Sequence, residues 1–252
     1  MDPLSPDQLA RFERDGFVAV PGFLPSGQVA RLRAFAAELE RAPEVPGGIR
    51  KYYDEERRRD GVVLLSRIEY FRRFHAGLRA LLETGLLRAA LTQLLGEPPL
   101  LFKEKINLKP PGGSGFEPHQ DAQAGWDAYC ALHLTAVVAI DAATPASGCL
   151  ELAPGAHRRG LLGARWRPLA GPELAGLDFR PEPCEPGDAL FFGSYVPHRS
   201  APNRTDRSRR ILYLTYNPAS QGDHYERYFA DKRASYPPDV ERHPGREYRY
   251  RV

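Results

Sequence analysis

Three side chains far apart in the chain could hold one metal ion. His119 and Asp121 stand two positions apart in Phe116-Glu117-Pro118-His119-Gln120-Asp121, and His198 follows 79 positions after His119 in Val196-Pro197-His198. Two imidazoles and one carboxylate suit one face of an octahedral Fe(II) and leave the opposite face open. Three open positions accommodate a bidentate co-substrate and dioxygen, so this set points to a mononuclear iron oxygenase. A lone His-x-Asp is common by chance. Here a strand with a polar face precedes it, and the distal histidine follows a hydrophobic strand. Residues i and i+2 of a strand point the same way, so His119 and Asp121 are expected on one strand, reaching one ion.

Arg209 comes eleven positions after His198, and Ser200 two after it. A guanidinium holds a carboxylate through two parallel hydrogen bonds, and the serine hydroxyl serves the same carboxylate. An iron triad with an arginine on the next strand is the arrangement 2-oxoglutarate requires, its keto acid end on the metal and its distal carboxylate on Arg209. Arg210 should face the other side of that strand.

The elements that position these residues change character near residue 99. Before it the pattern is helical. Ser5-Pro6-Asp7-Gln8 opens a helix with a capping box, and Gly16 ends it. Phe17-Val18-Ala19-Val20 reads as a short strand. A second helix starts at Ser26, with Val29, Leu32, Phe35, Ala36 and Leu39 at helical spacing. Residues 42–61, with Lys51-Tyr52-Tyr53, read as an exposed connection or a lid. Residues 68–95 read as two helices broken near Thr84-Gly85.

Strands follow. Phe102, Glu104, Ile106 and Leu108 alternate with Lys103, Lys105, Asn107 and Lys109. Turned inward, the second set makes an anion-binding wall; turned outward, it is solvated. Further strands are expected over 132–140, 148–152, 189–192 and 210–216, and a short helical patch around Tyr225-Tyr228-Phe229. Helices first, then short strands with Gly/Pro turns, predicts an α+β chain. Its core is a double-stranded β-helix, a jelly-roll or cupin-like barrel, with the N-terminal helices packed on one sheet. Residues 1–252 form one domain in this reading: a mostly helical part over 1–98, the barrel over 99–220 and a tail over 221–252.

Composition sets the outer bounds. With 252 residues and a net charge of +3, the densest basic runs are Arg57-Arg58-Arg59 and Arg207-Ser208-Arg209-Arg210, too short to suggest a nucleic-acid partner. No apolar run reaches spanning length, so no membrane partner is expected. The N-terminus is polar by Asp2, Asp7 and Gln8, without a signal-peptide core. Cys130, Cys149 and Cys184 show no metal-type spacing and are odd in number; they read as buried small apolar residues in a reducing cytoplasm. The expected partner is a small molecule. The oligomeric state is not readable.

The sequence resembles the phytanoyl-CoA dioxygenase-like family of Fe(II)/2-oxoglutarate oxygenases. The resemblance rests on Asp15-Gly16-Phe17-Val18, Lys105-Ile106-Asn107, His119-Gln120-Asp121, the run from Gly148 to His157, Pro186-Gly187-Asp188, and His198-Arg199-Ser200-Ala201-Pro202-Asn203 with Arg209. It implies a jelly roll and the oxidative decarboxylation of 2-oxoglutarate to succinate and carbon dioxide by Fe(II) and O2. It also implies that Asn107 helps hold 2-oxoglutarate, with Trp126 and Lys103 lining the same pocket. Some relatives are halogenases that replace the carboxylate by a small residue; Asp121 is present here, so hydroxylation is expected.

For the substrate, residues 102–107 and 119–126 look most like the branch acting on 2-aminoethylphosphonate and related short phosphonates. A phosphonate dianion needs several donors, for which Lys103, Lys105, Asn107 and Gln123 are candidates. Tyr129, Tyr213 and Trp126 would lie near an ammonium group. The same chemistry on an amino acid, a quaternary amine or a natural-product intermediate stays open. So does a cupin-like metal-binding protein without oxygenase activity, or a zinc hydrolase or isomerase, in which Arg209 and Asn107 would have no evident purpose.

Overall fold

The computed structural model describes residues 3–83 and 85–248. Helix α1 (Pro6–Asp15) has the expected capping box: Ser5 accepts from the Gln8 amide, the Gln8 side chain accepts from the Ser5 amide, and Gly16 at φ 84° turns the chain out. β1 (Phe17–Val20) follows. Helix α2 (Ser26–Arg41) buries Val29, Leu32, Ala36 and Leu39.

The stretch expected as a connection or lid is a wall instead. β2 (Arg50–Tyr53), the short helix α3 (Glu55–Arg59) and β3 (Leu65–Glu69) form a hairpin that extends the main sheet. Lys51 is buried with its ammonium on the carbonyls of Glu40 and Ala42, at the C-terminal end of α2, which complements the partial negative charge there. Its charge is therefore spent inside the fold, which a reading by hydrophilicity misses. Ile68, expected to open a helix, lies on β3 instead and is fully buried. The helices begin later, as α4 (Ala76–Glu83) and α5 (Gly85–Leu95). Of the expected break between them, Thr84 lies outside the described residues and Gly85 has φ 72°.

β4 (Pro99–Lys109) is the long central strand. After it come β5 (Phe116–His119), β6 (Leu134–Ala139), β7 (Leu150–Leu152), β8 (Arg180–Glu182), β9 (Ala189–Gly193), β10 (His198–Ser200) and β11 (Arg209–Pro218). Helix α6 (Tyr225–Ser235), longer than the expected patch, packs back against β4 and buries Tyr225 and Phe229. The strands form two antiparallel sheets, ordered β1-β9-β6-β11-β4-β3-β2 and β5-β10-β7-β8.

Period-2 alternation divides the core in two. Ile106, Leu212, Leu214, Ala136, Val138 and Phe191 face α2, α4 and α5. Ile211, Tyr213, Val137, Leu190 and Phe192 face Leu150, Leu152 and Val196 of the small sheet region. The alternation of β4 breaks at one point. Thr215 pairs with Lys103 and Tyr216 with Leu101, so Phe102 is the extra residue of a bulge. Phe102 therefore leaves the helix-facing set and packs on Trp126, Tyr129, His133 and Tyr228. All three cysteines are free thiols, and Cys184 is only half-buried. Among the described residues no helix is long and apolar enough to cross a membrane.

Candidate active site

β5 and β10 are antiparallel neighbours with His119 opposite His198, which puts the two imidazole centroids 4.3 Å apart. Each ring is oriented through Nδ1: His119 toward the Glu117 carbonyl at 2.7 Å, and His198 toward the Val196 carbonyl at 3.0 Å. A carbonyl only accepts, so Nδ1 carries the proton and Nε2 is left as a ligand atom on both rings. Burial pushes the His119 pKa down to about 3, with His198 adding to the effect, and burial also lowers that of His198. Both rings are therefore neutral, the form that ligates metals.

Asp121 does not continue the strand. β5 stops at His119, and Asp121 is the first residue of a 3-10 turn, Asp121–Ala124. Two glutamines hold that turn. Gln123 Oε1 accepts from the Gln120 amide at 2.8 Å. Gln120 Nε2 donates to Gly160 and Tyr195, while its Oε1 accepts from the Leu162 amide. Thr135 Oγ1 donates to Asp121 Oδ2 at 3.3 Å. Burial raises the Asp121 pKa, but His198, Lys103 and Lys105 outweigh it and bring the pKa down to about 2. The donor atoms of His119, Asp121 and His198 all lie within 4.8 Å of one another. Among the described residues no other His, Cys, Asp or Glu joins them. Two neutral imidazoles and one ionised carboxylate fit Fe(II) with an open face.

That set opens on a chamber of about 1110 Å³, large enough for a co-substrate and a substrate together. Lys103, Lys105, Lys109 and Trp126 line it, with Tyr52, Tyr53 and α3 on one side and Tyr228, Asp231 and Lys232 of α6 on another.

Residues 12–211 match the family described as phytanoyl-CoA dioxygenase (PhyH). The chain belongs to that family. It is similar to a methylphosphonate hydroxylase of Gimesia maris, with 43% identity over 92% of this chain and 88% of the relative. It is also similar to a 2-aminoethylphosphonate dioxygenase of an uncultured bacterium, with 38% identity over 98% of this chain and 95% of the relative. Among solved structures, EctD from S. alaskensis with 2-oxoglutarate and 5-hydroxyectoine superposes with a TM-score of 0.75 at 22% identity, covering 87% of this chain and 78% of that one, a likeness of fold. The dioxygenase activity expected from the sequence, with iron and 2-oxoglutarate, stands on this family membership.

Within this family member, the expected site residues separate into two groups. Arg209 is opposite Lys109 in the β4–β11 register. It is fully buried, one nitrogen donates to the Gly148 carbonyl, and Nε and Nη1 have no partner among the described residues. Lys109, absent from the expected site, donates to Ser200 Oγ at 2.8 Å and to the Ala201 carbonyl. Its position in the inward-facing lysine set was the available signal. Asn107 is buried two positions away, with its Oδ1 unpartnered among the described residues.

Lys103 and Trp126 form the second group. Six residues of strand separate Lys103 from Lys109, roughly 20 Å. Lys103 is therefore well removed from Arg209 along the strand, though Lys103, Trp126, Lys109 and Ser200 line the one chamber. Its Nζ lies 3.9 Å from the Trp126 ring centroid, and Lys105 Nζ lies 4.9 Å from that of Tyr213. Burial lowers the Lys103 pKa to about 8 and that of Lys105 well below the usual range, the latter with Lys103 adding repulsion. The ammonium beside Trp126 and Tyr213 is thus the chain's own. Tyr129 lines the chamber with its hydroxyl on Asp231 at 2.7 Å and Arg227 over its ring.

Gln123 is not a chamber residue. Its amide nitrogen donates to the carbonyls of Ala164 and Arg167, so its polarity holds a loop in place. Arg210 faces away as expected, paired with Asp141 and Glu40. A further charged group escaped the sequence reading: Glu69, buried on β3, pairs with Arg67 at 3.3 Å and with Lys232 of α6. Its members are up to 163 positions apart, so no local pattern announces them.

Proposed function

We propose that this chain hydroxylates the phosphorus-bearing carbon of a short phosphonate such as 2-aminoethylphosphonate, with 2-oxoglutarate converted to succinate and carbon dioxide. The observation that carries the reading is the pair of lysines on the chamber wall near Asp121, Lys103 buried and Lys105 half-buried. Among the described residues neither is paired with a carboxylate. Buried cations without a partner are costly, and a dianion from solution supplies what the protein withholds. The two phosphonate-acting relatives support the same class.

In this reading His119, Asp121 and His198 hold Fe(II), which when bound supplies oxygen activation and the oxidising power for C–H hydroxylation. Arg209 receives the distal carboxylate of 2-oxoglutarate with Ser200, and Lys109 and Asn107 add donors at that end. The Glu117 and Val196 carbonyls keep both imidazoles turned to the metal, and Thr135 keeps the Asp121 carboxylate turned with them. Lys103 and Lys105 bind the phosphonate and set its carbon toward the open face. Trp126, Phe102 and His133 keep water from beneath Lys103. The two sheets are the walls of a double-stranded β-helix, and residues 1–252 work as one oxygenase domain on a small molecule, in the cytoplasm.

The test is succinate formation by protein loaded with Fe(II) anaerobically and then exposed to oxygen, across short phosphonates, amino acids and quaternary amines. Phosphonates should raise succinate well above the no-substrate level, and His119→Ala and Asp121→Ala should reduce it to background with loss of bound iron. Stimulation by another class alone would refute the phosphonate assignment and keep the oxygenase.

A further inference from the structure

Asp121 sits on a turn past the end of β5, so no strand pairing fixes the rotation of its carboxylate. What holds it comes from the large sheet. Thr135 on β6 and Thr215 on β11 are directly opposite in the register, and both are fully buried. Their neighbours on that face, Val137, Tyr213 and Phe192, belong to one apolar cluster. Hydroxyls enclosed in such surroundings are costly unless they are bonded. These two are bonded to each other, Oγ1 to Oγ1 at 3.0 Å, and Thr135 Oγ1 reaches Asp121 Oδ2 at 3.3 Å.

The direction of this chain of hydrogen bonds follows from counting protons. A hydroxyl has one proton and two lone pairs. A carboxylate that ligates a metal is deprotonated and only accepts. The Thr135 proton therefore goes to Asp121, and the proton between the two threonines belongs to Thr215. Asp121 Oδ1 accepts from none of the described residues, and Asp121 lines the chamber.

The same cross-strand row continues to either side. Phe192, opposite Thr135 on β9, has its ring centroid 4.8 Å from that of His198, and Lys103 is opposite Thr215 on β4. One row of the sheet thus supports two members of the donor set from behind.

Resting on the reading of His119, Asp121 and His198 as iron ligands, we propose that Thr215 is a positioning residue for the metal. It donates to Thr135, Thr135 donates to Asp121 Oδ2, and Oδ1 is thereby turned to the ion. Neither threonine is itself a ligand. Without the Thr215 proton, the Thr135 hydroxyl loses the bond that fixes its rotation, and the hold on Asp121 loosens.

The experiment measures Fe(II) affinity by anaerobic titration, together with the thermal unfolding midpoint of the metal-free protein. It compares wild type, Thr135→Val, Thr215→Val, the double variant, Thr135→Ser, Thr215→Ser and Asp121→Ala. Groups that orient a ligand are worth about ten-fold or more in metal affinity, so Thr135→Val should weaken Fe(II) binding about ten-fold and Thr215→Val at least about three-fold. Both serine variants keep the hydroxyl and should stay near wild type. In the double variant the loss should equal that of Thr135→Val alone, because Thr215 acts only through Thr135. Valines of similar shape replace both partners of one bond there, so its midpoint should stay close to wild type. Wild-type affinity in Thr215→Val, or losses that add in the double variant, would overturn the proposal. So would a loss that the serine variants share or that follows the midpoint, since the pair would then matter only for packing. If Asp121→Ala binds Fe(II) as tightly as wild type, the ligand reading fails and this inference with it.

Discussion

On one face of β4, Lys103 is buried and Lys105 half-buried, and no carboxylate of the described residues pairs with either. On the other face, Glu104 between them in sequence is fully enclosed. Its Oε1 accepts from the Tyr225 hydroxyl at 2.8 Å and from the Arg72 amide at 2.9 Å, and its Oε2 has no partner among the described residues. Burial pushes the Glu104 pKa up to about 7. The two faces differ in what their charged residues meet. Glu104 holds its proton to higher pH than an ordinary carboxyl and ties α6 to the sheet through Tyr225. The lysines lie on the wall of a chamber, where a bound anion can satisfy them. Polarity that ties one element to another points to architecture; polarity that opens on a chamber points to a ligand.

Substitutions at three places would break or sharpen this contrast. The largest effect is expected at Arg209, fully buried opposite Lys109 of the chamber wall. Arg209→Met removes the partner of a desolvated carboxylate and should raise the 2-oxoglutarate KM roughly 100-fold. Succinate release at varied 2-oxoglutarate checks it, and an unchanged KM would place the co-substrate elsewhere.

Next come Lys103→Met and Lys105→Met. Each should raise the phosphonate KM about ten-fold or more, while the unfolding midpoint stays level or rises, because an apolar chain replaces a desolvated amine that no carboxylate of the described residues pairs. A fall in the midpoint with unchanged KM would make these lysines structural and erase the contrast.

Glu104→Gln should have the smallest effect on turnover and a clear one on stability. The ordinary carboxyl value here is 4.5, and in the fold it is about 7. Between these values the folded protein holds a proton that the unfolded chain has released. Stability from this group therefore falls as pH rises through the window and stays reduced above it, by about 3 kcal/mol. A neutral amide at this position carries no such penalty, so Glu104→Gln should flatten the decline and be the more stable protein at pH 8. Thermal unfolding at pH 5 and pH 8 measures it; parallel wild-type and variant curves would show that Glu104 ionises freely.

Much of the site could be read from residue types and spacing. His119, Asp121 and His198 converge, and β4 does turn Lys103, Lys105, Asn107 and Lys109 to one side. What escaped has a common cause. Lys51, Arg67, Glu69 and Lys232 are charged residues turned into the fold, where carbonyls and carboxylates distant in sequence receive Lys51 and Lys232 and no local pattern announces the group. Gln123 looked like a substrate donor because an amide on a metal motif is ambiguous until the carbonyls of Ala164 and Arg167 claim it.

The sequence by itself determined the donor chemistry, since two histidines and an aspartate of suitable type stand beside strand patterns, and it determined the family to which they belong. It determined the capping of α1 and the alternation of β4 as well, because both depend on neighbours within a few positions. Tertiary structure alone decided which lysine meets which anion. The opposition of Lys109 to Arg209 is a matter of strand register, and the separation of Lys103 from that end is set by strand length. It alone decided that α6 and the β2–β3 hairpin form walls of the chamber, because the pairings that hold them there join residues with no local relation.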